Sequence, residues 1–212
     1  MAESKLDHWS AAAQRYDRLV ELALGENIRA QIDEKLQQEG HMGKVVELGC
    51  GTGYYTKMLA AQADYVVATD FSDEMLRIAQ ARTTGVDNVE FKNENWQHTS
   101  FVNESFDTIF AGLVMPFVED KTAVLKESYR ILRPEGRMIL ADPNPMLLKG
   151  YLRIQCLCRI RVAWRGKPPR GNFESISELV QETGLAMASR DIIKDVSHPS
   201  SLPVEYLRLF KS

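Results

Sequence analysis

Apolar residues in the first forty positions recur every three or four residues, which is the period of an α-helix. The pattern predicts two helices between Asp7 and Glu39, which Gly25 separates and Gly40 ends. The apolar positions are Trp9, Ala12, Ala13, Tyr16, Leu19, Val20 and Leu24 in the first helix, and Ile28, Ile32 and Leu36 in the second. We therefore expect residues 1–40 to form a helical cap.

From Lys44 onwards, short apolar runs alternate with helical stretches. The predicted strands are Lys44–Leu48, Tyr65–Thr69, Asn88–Lys92, Phe106–Gly112 and Arg137–Asp142, and the predicted helices are Tyr54–Ala63, Ser72–Arg82 and Glu119–Leu132. Ser72 is a favourable N-cap, and Arg133–Gly136 forms a turn that ends the last of these helices. Strands that alternate with helices of this length indicate βαβ units and a mainly parallel sheet.

The end of the chain has a different pattern. A helix over Ser175–Thr183 is followed by two strand candidates, Met187–Val196 and Val204–Phe210. The link between them contains Pro199 and Pro203 and is too short for a crossover helix. We therefore expect these two strands to be antiparallel.

The composition is that of an ordinary globular protein, with 44% hydrophobic and 26% charged residues, and the length of 212 favours a single domain over 1–212. The net charge of -3 argues against a stable nucleic-acid complex. No signal peptide and no membrane-spanning run is recognised. The three cysteines have no disulfide-framework spacing, so we expect a cytoplasmic protein. The cysteines and histidines also have no metal-ligand spacing, so we expect no metal site.

Three glycines, Gly49, Gly51 and Gly53, lie between a predicted strand and a predicted helix. Glycine lets a backbone turn tightly and approach a bound nucleoside closely. The dinucleotide fingerprint needs a third glycine at position 54 or 56, where this chain has Tyr54 and Thr56. The loop also lacks the Gly-Lys-Ser/Thr ending of a P-loop, which argues against a nucleoside triphosphate.

Two acidic residues flank this loop. Glu47 lies in the preceding strand, where it would repel a pyrophosphate but not a ligand with an ammonium or sulfonium charge. Asp70 ends the next strand, where a carboxylate binds ribose hydroxyls in folds of this kind. The combination favours a nucleoside ligand, and a plain βα turn is the alternative.

Several spaced motifs resemble those of class I S-adenosylmethionine-dependent methyltransferases. They are Glu47-x-Gly-x-Gly-x-Gly53, Asp70–Met75, Ser105–Asp107 and Leu132–Gly136, within residues 40–142. The resemblance implies a Rossmann-like α/β fold with a doubly wound seven-stranded sheet of order 3-2-1-4-5-7-6, whose seventh strand is antiparallel. N-terminal helices and an inserted basic segment after strand 5 would complete it. It also implies S-adenosylmethionine as the cofactor.

The same resemblance implies which residues hold the cofactor. The glycine loop would face its methionine part, Asp70 its ribose, and Phe71 or Met75 its adenine. The N-terminal helix covers the cofactor in similar proteins, which makes Tyr16 a further candidate. The full predicted set is Tyr16, Glu47, Gly49, Gly51, Thr52, Gly53, Asp70, Phe71, Met75, Asn95, Trp96 and Ala111.

One position departs from the family pattern. The family has an Asp-Ala pair after strand three that holds the adenine amine, and this chain has Asn95 and Trp96 there. The carbonyl oxygen of Asn95 can still accept a hydrogen bond from an amine. Trp96 is much larger than alanine, so we expect the adenine to be bordered differently.

The segment over residues 143–173 has no acidic residue between Pro143 and Phe173. Its basic residues, which are interleaved with apolar ones, are Lys149, Arg153, Arg159, Arg161, Arg165, Lys167 and Arg170. It begins at the carboxyl end of a strand, where open α/β sheets bind ligands. We interpret it as a lid that favours an anionic or lipid-like substrate, with a solvated helix or a homodimer contact as equal alternatives.

No catalytic residue can be assigned from the sequence. The stretch Leu113–Phe117 at the expected acceptor position is entirely apolar and supplies no base. Asp142, His98 and Tyr151 are candidates for a general base by position only.

The leading functional prediction is a methyltransferase that acts on a small molecule, loosely similar to those of ubiquinone and menaquinone biosynthesis. One alternative is an RNA or protein methyltransferase that uses the basic segment to hold a polyanion. Another is a non-catalytic cofactor-binding subunit that stabilises a partner. A nicotinamide oxidoreductase ranks last, because the third dinucleotide glycine is absent.

Overall fold

The computed structural model describes residues 9–163, 171–173 and 176–211. Its centre is a seven-stranded sheet. The strands are β1 (Lys44–Leu48), β2 (Tyr65–Asp70), β3 (Val89–Asn93), β4 (Phe106–Gly112), β5 (Leu132–Pro143), β6 (Leu185–Ile193) and β7 (Val204–Lys211). The α-helices are α1 (Tyr16–Leu24), α2 (Glu26–Gln37), α3 (Thr56–Ala60), α4 (Asp73–Arg82), α5 (Lys121–Ile131), α6 (Gly150–Ala163) and α7 (Ile176–Leu179).

The strand order is β3-β2-β1-β4-β5-β7-β6. The first five strands are mutually parallel, and β7 pairs antiparallel with both β5 and β6. This confirms the predicted sheet, including the antiparallel last pair. Because the parallel strands run in one direction, their carboxyl ends meet at one edge, and the order reverses between β1 and β4. A crevice for a ligand is expected at that point.

The sheet has an apolar layer on each face. Adjacent residues of a strand point to opposite faces, so Val45 packs in one cluster and Val46 in the other. The first cluster includes the apolar stripe of α2, with Ile28 and Ile32 fully buried. The N-terminal helices therefore form part of the core on one face of the sheet.

The structure refines three predicted elements. The first helical run changes to a 3-10 turn at Ala13–Arg15 before α1 begins. The helix predicted over Tyr54–Ala63 is shorter, because the turn of the glycine loop continues up to its start at Thr56. The last predicted helix contains α7 followed by a 3-10 turn over Val180–Glu182.

The fifth strand begins earlier than predicted, at Leu132 instead of Arg137. Leu132 already pairs with Phe106, and the register then shifts before Thr108 pairs with Arg137. The predicted turn over 133–136 is therefore a bulge within β5, where Glu135 has a positive φ of 62°.

The basic segment after β5 contains α6, which packs along α1. The basic residues Arg165, Lys167 and Arg170 of this segment lie outside the described residues. None of the helices within the described ranges is long and apolar enough to cross a membrane.

Candidate functional site

The glycine loop leaves β1 at the carboxyl edge of the sheet, next to β4. Gly49, Gly51 and Gly53 have φ values of 72°, 53° and 77°, which lie in the left-handed region that favours glycine. A Cβ on Gly49 would lie 2.7 Å from Cγ2 of Val114, and one on Gly53 would lie 2.9 Å from Cα of Ala79. Gly49 therefore keeps space open towards β4, whereas Gly53 allows α4 to pack closely.

Asp70, at the end of β2, fixes the shape of this loop. Its two carboxylate oxygens accept hydrogen bonds of 2.9 Å from the backbone N–H groups of Gly51 and Ser72. Burial raises the pKa of Asp70 to about 6, although these hydrogen bonds lower it in part. The carboxylate keeps further lone pairs, which can accept ligand hydroxyls.

A pocket opens at the glycine loop, and we call it the cofactor pocket after the cofactor-binding residues that the sequence predicts there. It is lined by Trp9, Tyr16, Gly49, Gly51, Asp70, Phe71, Met75, Trp96, Gly112, Leu113, Val114 and Phe117. One side carries the acceptor oxygens of Asp70, and the other carries the rings of Phe71 and Trp96, which meet edge to face at 5.8 Å. The pocket thus combines a polar end with an aromatic slot.

Seven of the twelve residues predicted to bind the cofactor line this pocket. The other five do not: Glu47, Thr52, Gly53, Asn95 and Ala111. Ala111 is fully buried in β4. Asn95 is exposed, and its side-chain oxygen accepts a hydrogen bond from the backbone N–H of Gln97. Of the pair after β3, only Trp96 faces the pocket.

The side chains of Glu47 and Thr52 contact residues outside the cofactor pocket. The hydroxyl of Thr56 donates a hydrogen bond of 2.6 Å to Glu47, which is 1% exposed, and burial raises the pKa of this carboxyl to about 8. The hydroxyl of Thr52 donates to Asp17 at 2.8 Å, and Arg82 forms an ion pair with the same carboxylate. These contacts shape the loop and attach α1 to it.

The N-terminal segment covers the cofactor pocket. The ring of Tyr16 lies 3.5 Å from the point where a Cβ of Gly51 would be. Trp9 contacts the rings of Tyr16 and Phe117, with centroid distances of 5.9 and 5.0 Å. Ser10 shares a hydrogen bond of 3.0 Å with Ser72. The N-terminal cap is therefore connected at several points to the glycine loop and to the residues around it.

Five lining residues were missed as cofactor-site candidates: Trp9, Gly112, Leu113, Val114 and Phe117. The four that follow or end β4 carried a usable signal, since they lie at the carboxyl end of a parallel strand beside the glycine loop. Trp9 carried none, because its position over the pocket depends on how the cap packs.

A second cavity, which we call the apolar pocket, adjoins the first. Among the described residues its lining is Trp9, Tyr16, Leu19, Val20, Ala23, Leu24, Leu113, Phe117, Pro143, Ile160, Phe173 and Leu202, none of which has a charged side chain. Ile160 and Phe173 belong to the segment after β5. Both cavities share Trp9, Tyr16, Leu113 and Phe117, so these four residues form a common wall.

None of the three base candidates lines either pocket. Tyr151 is 71% exposed and His98 is exposed as well. Asp142 is buried, and its Oδ1 accepts hydrogen bonds of 2.8 and 3.0 Å from the N–H groups of Val114 and Met115. Asp142 therefore supports, from outside both pockets, the loop that contributes Leu113 and Phe117 to the common wall.

The loop after β4 is also tied to the end of the basic segment. The backbone N–H of Asn172 donates a hydrogen bond of 2.6 Å to the carbonyl of Pro116, and the ammonium of Lys121 donates to the carbonyl of Asn172 at 2.8 Å. Phe173 is thereby held against the apolar pocket. Within the described residues, no cluster of three or more His, Cys, Asp or Glu side chains could hold a metal ion.

Comparison with known proteins agrees with this arrangement. The family described as "Methyltransferase domain" matches residues 46–140. A demethylmenaquinone methyltransferase of Clavibacter sepedonicus is 33% identical over 51% of this chain and 46% of its own length. Methyltransferase GfsG of Streptomyces halstedii is 34% identical over 83% of this chain and 64% of its own length. The chain thus aligns with less than two thirds of either relative.

The fold is also similar to that of a solved structure. A SAM-dependent methyltransferase from Aquifex aeolicus superimposes with a TM-score of 0.69 and 16% identity, over 96% of this chain and 98% of its own. At that identity the likeness concerns the fold. Motifs, sheet order and relatives agree: residues 46–140 match a methyltransferase domain, and the chain has the sheet order expected from its resemblance to class I S-adenosylmethionine-dependent methyltransferases.

Proposed function

We propose that this protein transfers a methyl group from S-adenosylmethionine, bound in the cofactor pocket, to an apolar small molecule bound in the apolar pocket. The observation that carries the proposal is the common wall of Trp9, Tyr16, Leu113 and Phe117. Because both cavities border the same side chains, a donor and an acceptor in them would lie next to each other. Such juxtaposition is the main requirement for a displacement reaction.

The residues of the cofactor pocket fit the parts of S-adenosylmethionine. Asp70 can accept hydrogen bonds from the ribose hydroxyls, and Phe71, Met75 and Trp96 offer apolar walls to the adenine. Gly49 leaves room where a Cβ would collide with Val114 and Trp96. To the predicted residues that lie outside the pocket we assign a supporting part: Glu47, Thr52, Gly53 and Ala111 shape the loop or the strand beneath it.

When bound, the cofactor supplies a methyl group on a sulfonium sulfur, which leaves as a neutral thioether. The chain itself has to align the acceptor and exclude water. Leu113 and Phe117 close the common wall with apolar surface, while Trp9 and Tyr16 close it from the cap. Exclusion of water there protects the transfer from competing hydrolysis.

Within the described residues, the lining of the apolar pocket contains no group that could remove a proton at neutral pH. The hydroxyl of Tyr16 is the nearest candidate, but burial raises the pKa of Tyr16 far above its ordinary value of 10.0. Tyr16 therefore stays protonated and offers a neutral hydroxyl, not a base. This favours an acceptor atom that is nucleophilic without help from the protein.

The apolar lining also favours an uncharged, lipid-like acceptor over an anionic one. The described residues of this lining include no arginine or lysine that could neutralise a carboxylate or a phosphate. A polyanion such as RNA is disfavoured for the same reason. The name of the Clavibacter relative refers to a menaquinone, and an acceptor with a large apolar body would suit this pocket.

The proposal is tested by calorimetric titration followed by turnover. Wild-type protein should bind S-adenosylmethionine and S-adenosylhomocysteine but not NAD. Asp70→Ala should weaken binding about tenfold to a hundredfold, because hydrogen bonds to a charged group are lost. Asp64→Ala, which removes a 73% exposed carboxylate, is the matched control.

Turnover separates an enzyme from a non-catalytic subunit. Release of S-adenosylhomocysteine in the presence of apolar phenols, quinols or amines would support the enzyme. Tight cofactor binding without turnover of any acceptor, together with a stable hetero-complex, would point to the non-catalytic subunit. A preference for NAD would overturn the proposal.

A further inference from the structure

The helix α6 exposes large apolar side chains on the side that faces away from the core. Tyr151, Ile154 and Val162 recur at helical spacing and are 71%, 60% and 77% exposed. On the opposite side, Cys156 is 1% exposed and Ile160 lines the apolar pocket. We use the name outer face for Tyr151, Ile154, Leu157, Cys158, Arg161 and Val162.

All the charged residues of the segment that contains the outer face are basic. The sequence has no acidic residue between Pro143 and Phe173, although the whole chain has a net charge of -3. A groove between α1 and α6 adjoins the outer face. Within the described residues it is lined by three arginines and no acidic side chain, namely Arg15, Arg18, Leu19, Leu22, Cys158, Arg159 and Val162.

We propose that the outer face of α6 and the arginines of the adjoining groove dock this protein on a lipid bilayer that contains anionic phospholipid. A bilayer offers both partners that this surface needs, an apolar interior for Ile154 and Val162 and phosphate groups for the arginines. Exposed large apolar side chains with basic residues beside them can enter a membrane interface while the basic groups contact the headgroups.

A second copy of the chain is a poorer partner for this surface. A symmetric contact would place the same surface patch of the two copies against each other. Arg159 and Arg161 would then face arginines with no acidic residue on α6 to pair with, and like charges across an interface are unfavourable. An acidic protein would satisfy the arginines but not the exposed apolar side chains.

Docking would also explain how an apolar acceptor reaches its pocket. An α-helix is about 10 Å across, and Ile160 lines the apolar pocket on the inner side of the same helix. A bilayer on the outer face would thus lie one helix width from the pocket. The inference that the acceptor is a lipid-soluble molecule rests on the proposed function, whereas the docking does not.

The test is co-sedimentation of the full chain with vesicles. Wild-type protein should bind vesicles of phosphatidylcholine with about one third phosphatidylglycerol, bind pure phosphatidylcholine much less, and dissociate as salt is raised. The double variant Ile154→Glu with Val162→Glu should bind the anionic vesicles about tenfold less. Val102→Glu with Val196→Glu is the matched control, since these valines are 73% and 90% exposed elsewhere.

The control adds the same two negative charges, so it should retain wild-type binding within about twofold. Equal weakening in both variants, or no binding of wild-type protein to anionic vesicles, overturns the docking. A wild-type dimer that Ile154→Glu with Val162→Glu dissociates, without vesicle binding, overturns it in favour of a second copy. All three proteins should bind S-adenosylmethionine equally, so loss of that binding in wild-type protein would be a failure of the proposed function instead.

Discussion

Asp142 holds Val114 in place: its Oδ1 accepts a hydrogen bond of 2.8 Å from the Val114 backbone N–H. The same oxygen accepts the N–H of Met115. The end of β5 thereby fixes the loop after β4, which supplies Leu113 and Phe117 to the wall between the two pockets. The other oxygen of Asp142 is buried and has no hydrogen-bond partner. One buried carboxylate therefore supports the region where donor and acceptor would meet.

Substitutions of Asp142 should distinguish its role as a hydrogen-bond acceptor from the effect of its charge. Asp142→Ala leaves two buried N–H groups unpaired, and each costs about 1–3 kcal/mol of unfolding free energy. We expect a strong loss of stability together with a loss of turnover. Asp142→Asn keeps an acceptor oxygen for both N–H groups, so it should retain the fold and much of the turnover. Urea unfolding and acceptor kinetics of both variants measure this, and equal behaviour of the two would contradict it.

The same carboxylate predicts a dependence of stability on pH. Burial raises the pKa of Asp142 from 3.8 to about 7, against the effect of its backbone hydrogen bonds. Between about pH 4 and pH 7 the folded state therefore binds more protons than the unfolded state, so stability falls as pH rises through this window. Asp142→Asn should reduce that fall in urea unfolding at several pH values. An unchanged slope in the variant would show that Asp142 is ionised throughout.

Gly49→Ala and Gly40→Ala form a matched pair. Both glycines have nearly the same φ, 72° and 70°, but a Cβ on Gly40 would meet nothing within 4 Å. Gly40→Ala should therefore cost about 1–2 kcal/mol through backbone strain alone and leave the affinity for S-adenosylmethionine unchanged. Gly49→Ala adds a collision with Val114 and Trp96 and should weaken that affinity at least about tenfold. Equal affinities of the two variants would contradict the assignment of Gly49 to the cofactor-binding site.

Much of the fold could be predicted because it follows from local patterns of apolar, polar and glycine residues. The strands Lys44–Leu48 and Phe106–Gly112 have the predicted bounds, since both are apolar runs bounded by polar or glycine residues. The start of β5 could not be predicted in this way. Leu132 belongs to the strand because it pairs with Phe106, a contact that only the assembled sheet creates.

The candidate site likewise has residues that local sequence predicts and others whose positions depend on tertiary packing. Gly49, Gly51 and Asp70, which were predicted from turn geometry and strand ends, line one pocket, and their binding of the cofactor stays a prediction. Asn95 and Trp96 were expected together, yet only Trp96 faces the pocket. The side chain of Asn95 bonds a backbone N–H two residues ahead instead, a local preference of asparagine that competes with ligand binding. The position of Trp9 required the packing of the cap.

Affinity for the cofactor should depend on the ionisation of Asp70. Burial raises the pKa of Asp70 to about 6, with partial compensation by backbone N–H groups. Protonation removes acceptor capacity, so the dissociation constant for S-adenosylmethionine should be constant above about pH 7 and rise as pH falls below about 6. Calorimetry between these values measures it. Asp70→Asn should bind weakly without this dependence, and Asp64→Asn should follow wild-type protein; a flat profile for wild-type protein would contradict the assignment.

The apolar pocket can be tested through Phe173, which lines it but not the cofactor pocket. Phe173→Ala removes apolar surface from the acceptor side only, so we expect KM for an apolar acceptor to rise about tenfold while the affinity for S-adenosylmethionine is unchanged. Phe101→Ala is the control, because Phe101 is partly buried against Phe106 and lines neither cavity. Steady-state kinetics with varied acceptor, and calorimetry with the cofactor, give the two quantities. If Phe173→Ala weakened cofactor binding and left KM for the acceptor unchanged, the assignment of the two pockets would have to be reversed.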